Sequence, residues 1–264
     1  MNKAVLRKIH LWLSAPFGLI ITVVCLSGAV LVFEDEITAI YQEHRRTIES
    51  PPGAVPMSDA ELTAMLCEAY GSPVSVARVV KTDSPHKAYL FIISSPRRGA
   101  VWIDQYTGEI RDHGGKLPFF EAMLDLHKSL MIPAQEGVRY GNIIVGVSVL
   151  FFILALISGI VLWVPGHFRQ WLPRAGLFSM HALVGIYAMT FLLLMAATGL
   201  TWSFGWWHDM IYAIPGANRG LITVLHTGTY WGVAGKVIAC VTAIVGASLP
   251  LTGYWLWYRR LRHH

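Results

Sequence analysis

The sequence is poor in charged residues and in cysteine. Only 14% of its 264 residues are charged, whereas a soluble domain has about 25%, so an ordinary soluble protein is excluded. The three cysteines form no CxxC pair. This excludes a disulfide scaffold, a cysteine-ligated zinc site and the covalent attachment of a c-type haem.

Nucleotide-binding motifs are also missing. No GxGxxG follows a predicted strand, and the stretch GVAGK at 232–236 lacks the strand and the Ser or Thr that a P-loop requires. The short basic segments that we place in the cytoplasm below are too small for a flavin or nucleotide domain. We therefore expect no such domain in this chain.

Four long runs contain no Asp, Glu, Lys or Arg. They are 9–33, 142–164, 175–207 and 237–258. Each run reaches the roughly 20 residues that a helix needs to cross a bilayer. The first run is too long for the apolar core of a cleavable signal peptide, and acidic residues follow it in place of a cleavage site. The sequence thus predicts an α-helical membrane protein with a bundle of four transmembrane helices.

Basic residues are concentrated on one side of these runs. Eight of them, with no acidic residue, lie before the first run, between the second and third runs, and after the fourth. They are Lys3, Arg7, Lys8, Arg169, Arg174, Arg259, Arg260 and Arg262. Because short cytoplasmic loops are enriched in Lys and Arg, both termini are predicted to be cytoplasmic. The net charge of +5 therefore reports membrane orientation, and we expect no nucleic-acid partner.

The segment 34–118, between the first two helices, is expected to form a small α+β domain on the outer side. Ser58 and Glu61 form a capping box ahead of a helix that continues to about Tyr70. Strand-like runs follow at 74–80, 87–94 and 100–104. A turn at 105–108 leads to a short last strand.

Two further segments are placed outside the membrane. The first, 119–141, begins with an amphipathic stretch that carries His127 on its apolar stripe, so a core histidine under an interfacial helix is one interpretation. The second, 208–236, is a loop that leads into the fourth helix. The predicted organisation of the chain is therefore 1–33, 34–118, 119–141, 142–164, 175–207, 208–236 and 237–264.

An internal repeat relates the first and third helices. His10 is followed after seventeen and eighteen residues by Ser27-Gly28, and His181 is followed at the same separations by Thr198-Gly199. Eighteen residues make five helical turns, so each glycine lies on the face of its histidine, about 27 Å further along.

The second and fourth helices repeat each other more loosely. They end in Ser158-Gly159 and Thr252-Gly253 motifs, with Leu126-His127 and Leu225-His226 upstream. Pro133 and Gly137 follow His127, and Gly228 and Gly232 follow His226. Because these residues could break either helix, the helical phase between each histidine and its glycine is left open. His208 is the main alternative to His226.

With both termini in the cytoplasm, the four histidines form two pairs at opposite membrane faces. His10 and His181, the inner pair, lie at the cytoplasmic ends of their helices. His127 and His226, the outer pair, lie at the other face. Ionisable residues within spans are usually functional, and bundle cofactors bind between facing helices. The pairs therefore predict axial ligands to haem iron, and a histidine-lined proton or metal-ion path is an alternative.

The glycines of the repeats lie at matching depths. Gly28 and Gly199 fall near the outer pair, and Gly159 and Gly253 fall near the inner pair. Small residues at these positions would open a cleft for haem, or would let the helices pack closely. The sequence allows both roles.

In their order along the chain, these motifs resemble the PepSY-associated transmembrane family, iron-regulated bacterial membrane proteins that include ferric-siderophore reductases. The residues that carry the resemblance are Arg7-Lys8-Ile9-His10, the PepSY-like hairpin at 101–110, Leu126-His127, His181 and Leu225-His226. The resemblance extends over nearly the whole chain. It identifies 34–118 as a PepSY-like domain, which would be periplasmic.

The resemblance implies two b-type haems, each with two histidine ligands, that carry electrons across the bacterial inner membrane. His10 and His181 would hold the cytoplasmic-side haem, and His127 and His226 the periplasmic-side haem. A periplasmic ferric siderophore or another ferric chelate would accept the electrons and release Fe(II) for uptake. The donor would be a membrane quinol or a separate reductase. In the competing hypothesis, 34–118 is a binding or regulatory module that the helices merely anchor in the lipid.

Overall fold

The computed structural model describes residues 3–95, 99–114, 117–167 and 176–262. The chain divides into two compact units, one formed by Glu34–Pro118 and the other by the residues on either side of it. Two of the cytoplasmic bases predicted above, Arg169 and Arg174, lie outside the described residues, as does the first residue of the predicted third span.

The described residues are mostly helical. The helices, numbered along the chain, are α1 (Lys3–Ser14), α2 (Gly18–Leu31), α3 (Glu34–Arg46), α4 (Asp59–Tyr70), α5 (Pro118–Ser129), α6 (Tyr140–His167), α7 (Leu177–Gly199), α8 (Gly205–Tyr212), α9 (Arg219–Thr227) and α10 (Gly232–Arg262). Three stretches are long and apolar enough to cross a membrane, namely Tyr140–Trp163, Ser179–Trp202 and Thr229–Arg262. Together, α1 and α2 make a fourth if the bent pair is one span.

The first predicted span is not one continuous helix. It bends by 58° between α1 and α2, because Pro16 has no N–H to donate and its ring is incompatible with a regular helix interior. At the break, the carbonyl of Ala15 accepts a hydrogen bond from the hydroxyl of Tyr254, at 2.5 Å. This side chain on α10 therefore satisfies a carbonyl at the bend.

The third span ends earlier than the predicted 207. After α7 a short 3-10 turn covers Leu200–Trp202, and α8 begins at Gly205. The indole Nε1 of Trp207 donates to the carbonyl of Ala197, at 2.8 Å. Residues 205–212 thus form a separate short helix, and the bond from Trp207 connects it to the end of α7.

The apolar helices pack in a closed ring. α2 contacts α10, α10 contacts α7, α7 contacts α6, and α6 contacts both α1 and α2. Leu156, Leu192 and Leu249 form a buried cluster where α6, α7 and α10 meet. The ring of helices brings side chains from α1, α6, α7 and α10 to one end of the unit.

Both short helices that precede α6 and α10 are separated from them by turns that contain residues with positive φ. Leu130 and Met131 have positive φ after α5, and Gly228 and Gly232 have positive φ after α9. α5 and α9 are therefore helices separate from α6 and α10. His127 and His226 thus do not continue the helical phase of Gly159 and Gly253, which the sequence had left open.

The unit Glu34–Pro118 contains helices α3 and α4 and a four-stranded antiparallel sheet, on which α4 packs. The strands are β1 (Ser75–Val80), β2 (Tyr89–Ser95), β3 (Gly99–Ile103) and β4 (Ile110–Gly114), in the order β1-β2-β3-β4. Leu62 and Leu66 of α4 are buried against Phe91 and Val101 of the sheet.

Local signals in this unit are confirmed. The predicted capping box is present, with the Ser58 and Glu61 side chains each bonded to the other's backbone. In the β3–β4 turn, the Asp104 carboxylate accepts from the N–H groups of Tyr106 and Thr107. Gly108 completes that turn with a φ of 74°, a conformation that favours glycine. The sequence did not predict α3.

Candidate functional site

The inner pair lies between α1 and α7. The ring centroids of His10 and His181 are 6.5 Å apart, and the ring planes are inclined by 79°. The sequence separates these residues by more than half of the chain, and packing of the apolar helices brings them together.

Each ring of the inner pair uses its Nδ1 atom to contact a third or fourth helix. Nδ1 of His10 lies 2.8 Å from Oγ of Ser158 on α6. Nδ1 of His181 lies 2.7 Å from Oγ1 of Thr252 on α10. All four apolar spans therefore contribute to this one site.

The hydroxyl protons identify the tautomer of both rings. Ser158 donates its proton to the carbonyl of Ala155, at 2.8 Å, and Thr252 donates to the carbonyls of Ser248 and Leu249. A hydroxyl has one proton, and with that proton on the carbonyl each hydroxyl accepts from its imidazole. Nδ1 is then the protonated nitrogen, and Nε2 keeps the lone pair that binds metals.

The outer pair has a related geometry. His127 of α5 and His226 of α9 have ring centroids 6.2 Å apart and an interplanar angle of 58°. Nδ1 of His127 donates to the carbonyl of Val24 at 2.8 Å, with Oγ of Ser27 at 3.4 Å. This carbonyl can only accept, so the same tautomer follows.

His226 is held in the same way by α7. Its Nδ1 lies 3.0 Å from the carbonyl of Met195 and 3.1 Å from Oγ1 of Thr198. The ring of Trp202 packs edge-on against it, with centroids 5.2 Å apart. These contacts hold the ring of His226 at the end of α7.

Burial keeps the outer pair uncharged. Desolvation lowers the pKa of His127 below its usual value. It also lowers the pKa of His226 to about 4, and the repulsion that a protonated His127 would exert adds to this effect. The neutral imidazole is the form that serves as a metal ligand.

The glycines of the repeats make room for the imidazole rings. A Cβ atom added at Gly28 would lie 2.9 Å from Cε1 of His127, and one at Gly199 would lie 3.0 Å from Cε1 of His226. At Gly159 and Gly253 the corresponding distances to the inner pair are 3.5 and 3.8 Å. Every Ser/Thr-Gly dipeptide of the repeat thus faces one histidine of another helix.

A cavity of about 390 Å³ surrounds the inner pair. Its walls come from α1, α2, α6, α7 and α10, and are mostly apolar. Three basic residues, Arg7, Lys8 and Arg260, line it as well. The site therefore combines an apolar interior with positive charge from both termini of the chain.

His208 does not join the outer pair. Its ring stacks on Tyr212, with centroids 4.0 Å apart and planes at 18°, and its Nδ1 lies 3.1 Å from the carboxylate of Asp209. Of the two histidines considered for this position, the structure places His226 against His127.

The sequence assigned no role to the hydroxyl residues. Ser27, Ser158, Thr198 and Thr252 formed part of the repeat, but only the glycines beside them were interpreted. The signal was that a hydroxyl residue stands directly before each of the four glycines of the repeat. The accepting carbonyls of Val24 and Met195 had no signal, since every residue has a carbonyl.

Each pair offers two nitrogen ligands to a metal. Among the described residues, no group of three or more His, Cys, Asp or Glu side chains converges as a metal site.

One family model matches this chain. The model of the PepSY-associated TM region matches residues 7–220, which include three of the four paired histidines and exclude His226. No curated protein matches the chain. Since the match extends over most of its length, the chain belongs to the family of the PepSY-associated TM region.

Proposed function

We propose that this protein binds two b-type haems and transfers electrons across the bacterial inner membrane to a ferric chelate on the periplasmic side. The observation that carries the proposal is the arrangement of two histidine pairs. In each pair, both rings keep Nε2 available because Nδ1 donates to a neighbouring helix.

The spacing of the rings suits an iron atom between them. A metal bound to one nitrogen of each ring at about 2 Å leaves the ring centroids about 6 Å apart. The observed separations are 6.5 and 6.2 Å. A porphyrin would supply the remaining ligands, which the described residues do not provide at these positions.

The four histidines would provide the axial ligands. His10 and His181 would hold one haem, and His127 and His226 the other. When bound, such a haem supplies one-electron transfer, because its iron cycles between Fe(III) and Fe(II). With both histidines of a pair bound to it, the iron would have no free position for oxygen or substrate.

The residues that line the inner cavity also suit a haem. The apolar lining suits the porphyrin ring. The positive charges of Arg7, Lys8 and Arg260 suit the propionates, which are carboxylates. These bases belong to the cluster that predicts a cytoplasmic location for both termini.

Helix α7 gives the separation of the two sites. His181 lies near its beginning, and Thr198, which contacts His226, lies near its end. The seventeen residues between them correspond to about 26 Å of helix axis. Electrons would thus pass between opposite ends of the apolar helices.

The terminal acceptor is proposed to be a ferric siderophore or another ferric chelate. Reduction of Fe(III) by one electron gives Fe(II), whose lower charge weakens its bonds to hard oxygen ligands. The iron would then be released for uptake. A membrane quinol or a separate reductase would supply the electron. The support for this substrate class is the family resemblance.

The deciding experiment is a visible spectrum of the detergent-purified protein from haem-replete cells, oxidised and then reduced, with haem quantified per chain. We expect a low-spin b-type spectrum and two haems per chain. His208→Ala is the control for removal of a histidine, and we expect it to retain both. A colourless wild-type protein would reject the proposal and favour a membrane-anchored binding module.

A further inference from the structure

We infer that Thr252 is a positioning residue for His181, and that its hydroxyl controls the inner haem site in a way that the equivalent Thr198 does not control the outer one. This inference rests on the proposed function. Its basis is a difference between two threonines that occupy the same place in the repeat, each directly before a glycine.

The two threonines differ in what else supports the histidine. Within the described residues, Oγ1 of Thr252 is the one hydrogen-bond partner of His181 Nδ1, at 2.7 Å. At the outer site, the carbonyl of Met195 lies 3.0 Å from His226 Nδ1, beside the Thr198 hydroxyl at 3.1 Å. A backbone carbonyl persists when a side chain is replaced.

The other two histidines also have carbonyl support. His127 donates to the carbonyl of Val24. His10 contacts the hydroxyl of Ser158, beside the carbonyl of Ala155 that the serine itself contacts. His181 has no such carbonyl contact among the described residues, so its tautomer depends on the side chain of Thr252.

The hydroxyl of Thr252 is placed to accept from this ring. Acceptors for its own proton are the carbonyls of Ser248 and Leu249, at 2.9 and 3.0 Å. Loss of the hydroxyl would leave a largely buried N–H without an acceptor, which is unfavourable. The ring would then rotate or move its proton to Nε2, and either change removes the ligand lone pair from its place.

The same hydrogen bond affects the redox behaviour of the site. An acceptor at Nδ1–H makes the imidazole a stronger donor to the metal. A stronger donor favours Fe(III) over Fe(II), so loss of the acceptor should raise the midpoint potential of the inner haem. Partners of this kind typically change metal affinity by about 10–100-fold.

The test compares Thr252→Val with Thr198→Val in full-length protein. Valine has nearly the same shape as threonine without the hydroxyl. Redox titrations followed in the visible spectrum give both midpoints, and the His127→Ala variant, which should retain the inner haem alone, identifies the inner component. We expect Thr252→Val to raise the inner midpoint or release the inner haem. Thr198→Val should shift the outer midpoint by less, because the carbonyl of Met195 still accepts from His226. A tenfold preferential loss of affinity for oxidised haem corresponds to about 59 mV in a one-electron couple.

Two further variants complete the test. Thr252→Ser retains the hydroxyl and should restore the wild-type midpoint. Thr252→Ala removes the hydroxyl with a smaller side chain, so a shift shared with Thr252→Val arises from the lost acceptor. Equal midpoints in wild-type protein and both hydroxyl-free variants would overturn the inference and leave the proposed function intact. So would equal shifts from the two valine variants. A wild-type protein without haem would overturn both.

Discussion

Oγ of Ser158 lies 2.8 Å from Nδ1 of His10, and the serine donates its own proton to the carbonyl of Ala155. The hydroxyl therefore connects an imidazole on one helix to the backbone of another. Similar contacts occur at the other three histidines. The repeated Ser/Thr-Gly dipeptide thus supplies an acceptor for Nδ1–H and space for the ring beside it.

The first prediction concerns haem stoichiometry. His10→Ala and His181→Ala should each reduce the haem content from two per chain to one, because each removes one of two axial ligands at the inner site. His127→Ala and His226→Ala should remove the other haem. Pyridine haemochrome assays and reduced spectra measure the content.

The control is His208→Ala, whose side chain stacks on Tyr212 away from both pairs. The pairing would be contradicted if each ligand variant retained both haems. Loss of both haems from all four variants, with unchanged elution in size exclusion, would also contradict the pairing of inner and outer ligands.

The spans and the small domain could be predicted because their signals are local. The absence of charge over twenty or more residues identified α6, α7 and α10, and the capping box at Ser58 placed the start of α4. The bend at Pro16 had a local signal too, but proline also occurs within helices, as Pro250 does in α10. Only the packing distinguishes the two cases.

The partners of the histidines could not be predicted, because they depend on turns and on packing. Positive φ at Leu130 and Met131 separates α5 from α6 and directs His127 to Val24. Non-glycine residues rarely adopt that conformation, so no sequence rule anticipates it. The sequence sorted the histidines into pairs but left open which nitrogen each would present.

The second prediction compares two glycines of the repeat. Gly28→Ala should destabilise the protein by about 1–3 kcal/mol, the usual cost of overpacking, because the new methyl would lie 2.9 Å from Cε1 of His127. That ring is held by its bond to Val24 and cannot move without breaking it. Thermal unfolding in detergent and the outer haem content provide the measurements.

Gly253→Ala is the matched control. Its Cβ would lie 3.8 Å from Cε1 of His181, an ordinary contact distance. We expect a change within about 0.5 kcal/mol, as for substitutions that disturb no specific feature. Equal destabilisation by the two alanine variants would contradict the proposed close packing of the His127 ring against Gly28.

The third prediction concerns the loss of stability of the capping box at low pH. The Ser58 side chain and backbone hydrogen bonds hold the pKa of Glu61 below its usual value. A depressed pKa in the folded state stabilises the helix above the unfolded pKa of about 4.3, and this stabilisation disappears as the pH falls through the folded value. Amide hydrogen exchange in the first turn of α4 should therefore accelerate in acid.

Glu61→Gln provides the comparison, since it retains an acceptor for the Ser58 N–H and has no titratable group. Exchange in that variant should lose the part of its acid dependence that comes from Glu61, after correction for the intrinsic exchange rate. The same acid dependence in both proteins would show that Glu61 does not stabilise the first turn through its charge.

The fourth prediction concerns the bend between α1 and α2. Tyr254→Phe removes the hydroxyl that donates to the carbonyl of Ala15, and an unsatisfied carbonyl in a low-dielectric interior costs about 1–3 kcal/mol. Tyr254 also lines the cavity around the inner pair. The variant should lower the thermal midpoint and release the inner haem more readily than the outer one. Tyr258→Phe, at a position where the side chain is exposed, is the control and should change neither. If the two variants behave alike, the hydroxyl of Tyr254 does not hold the bend that places His10.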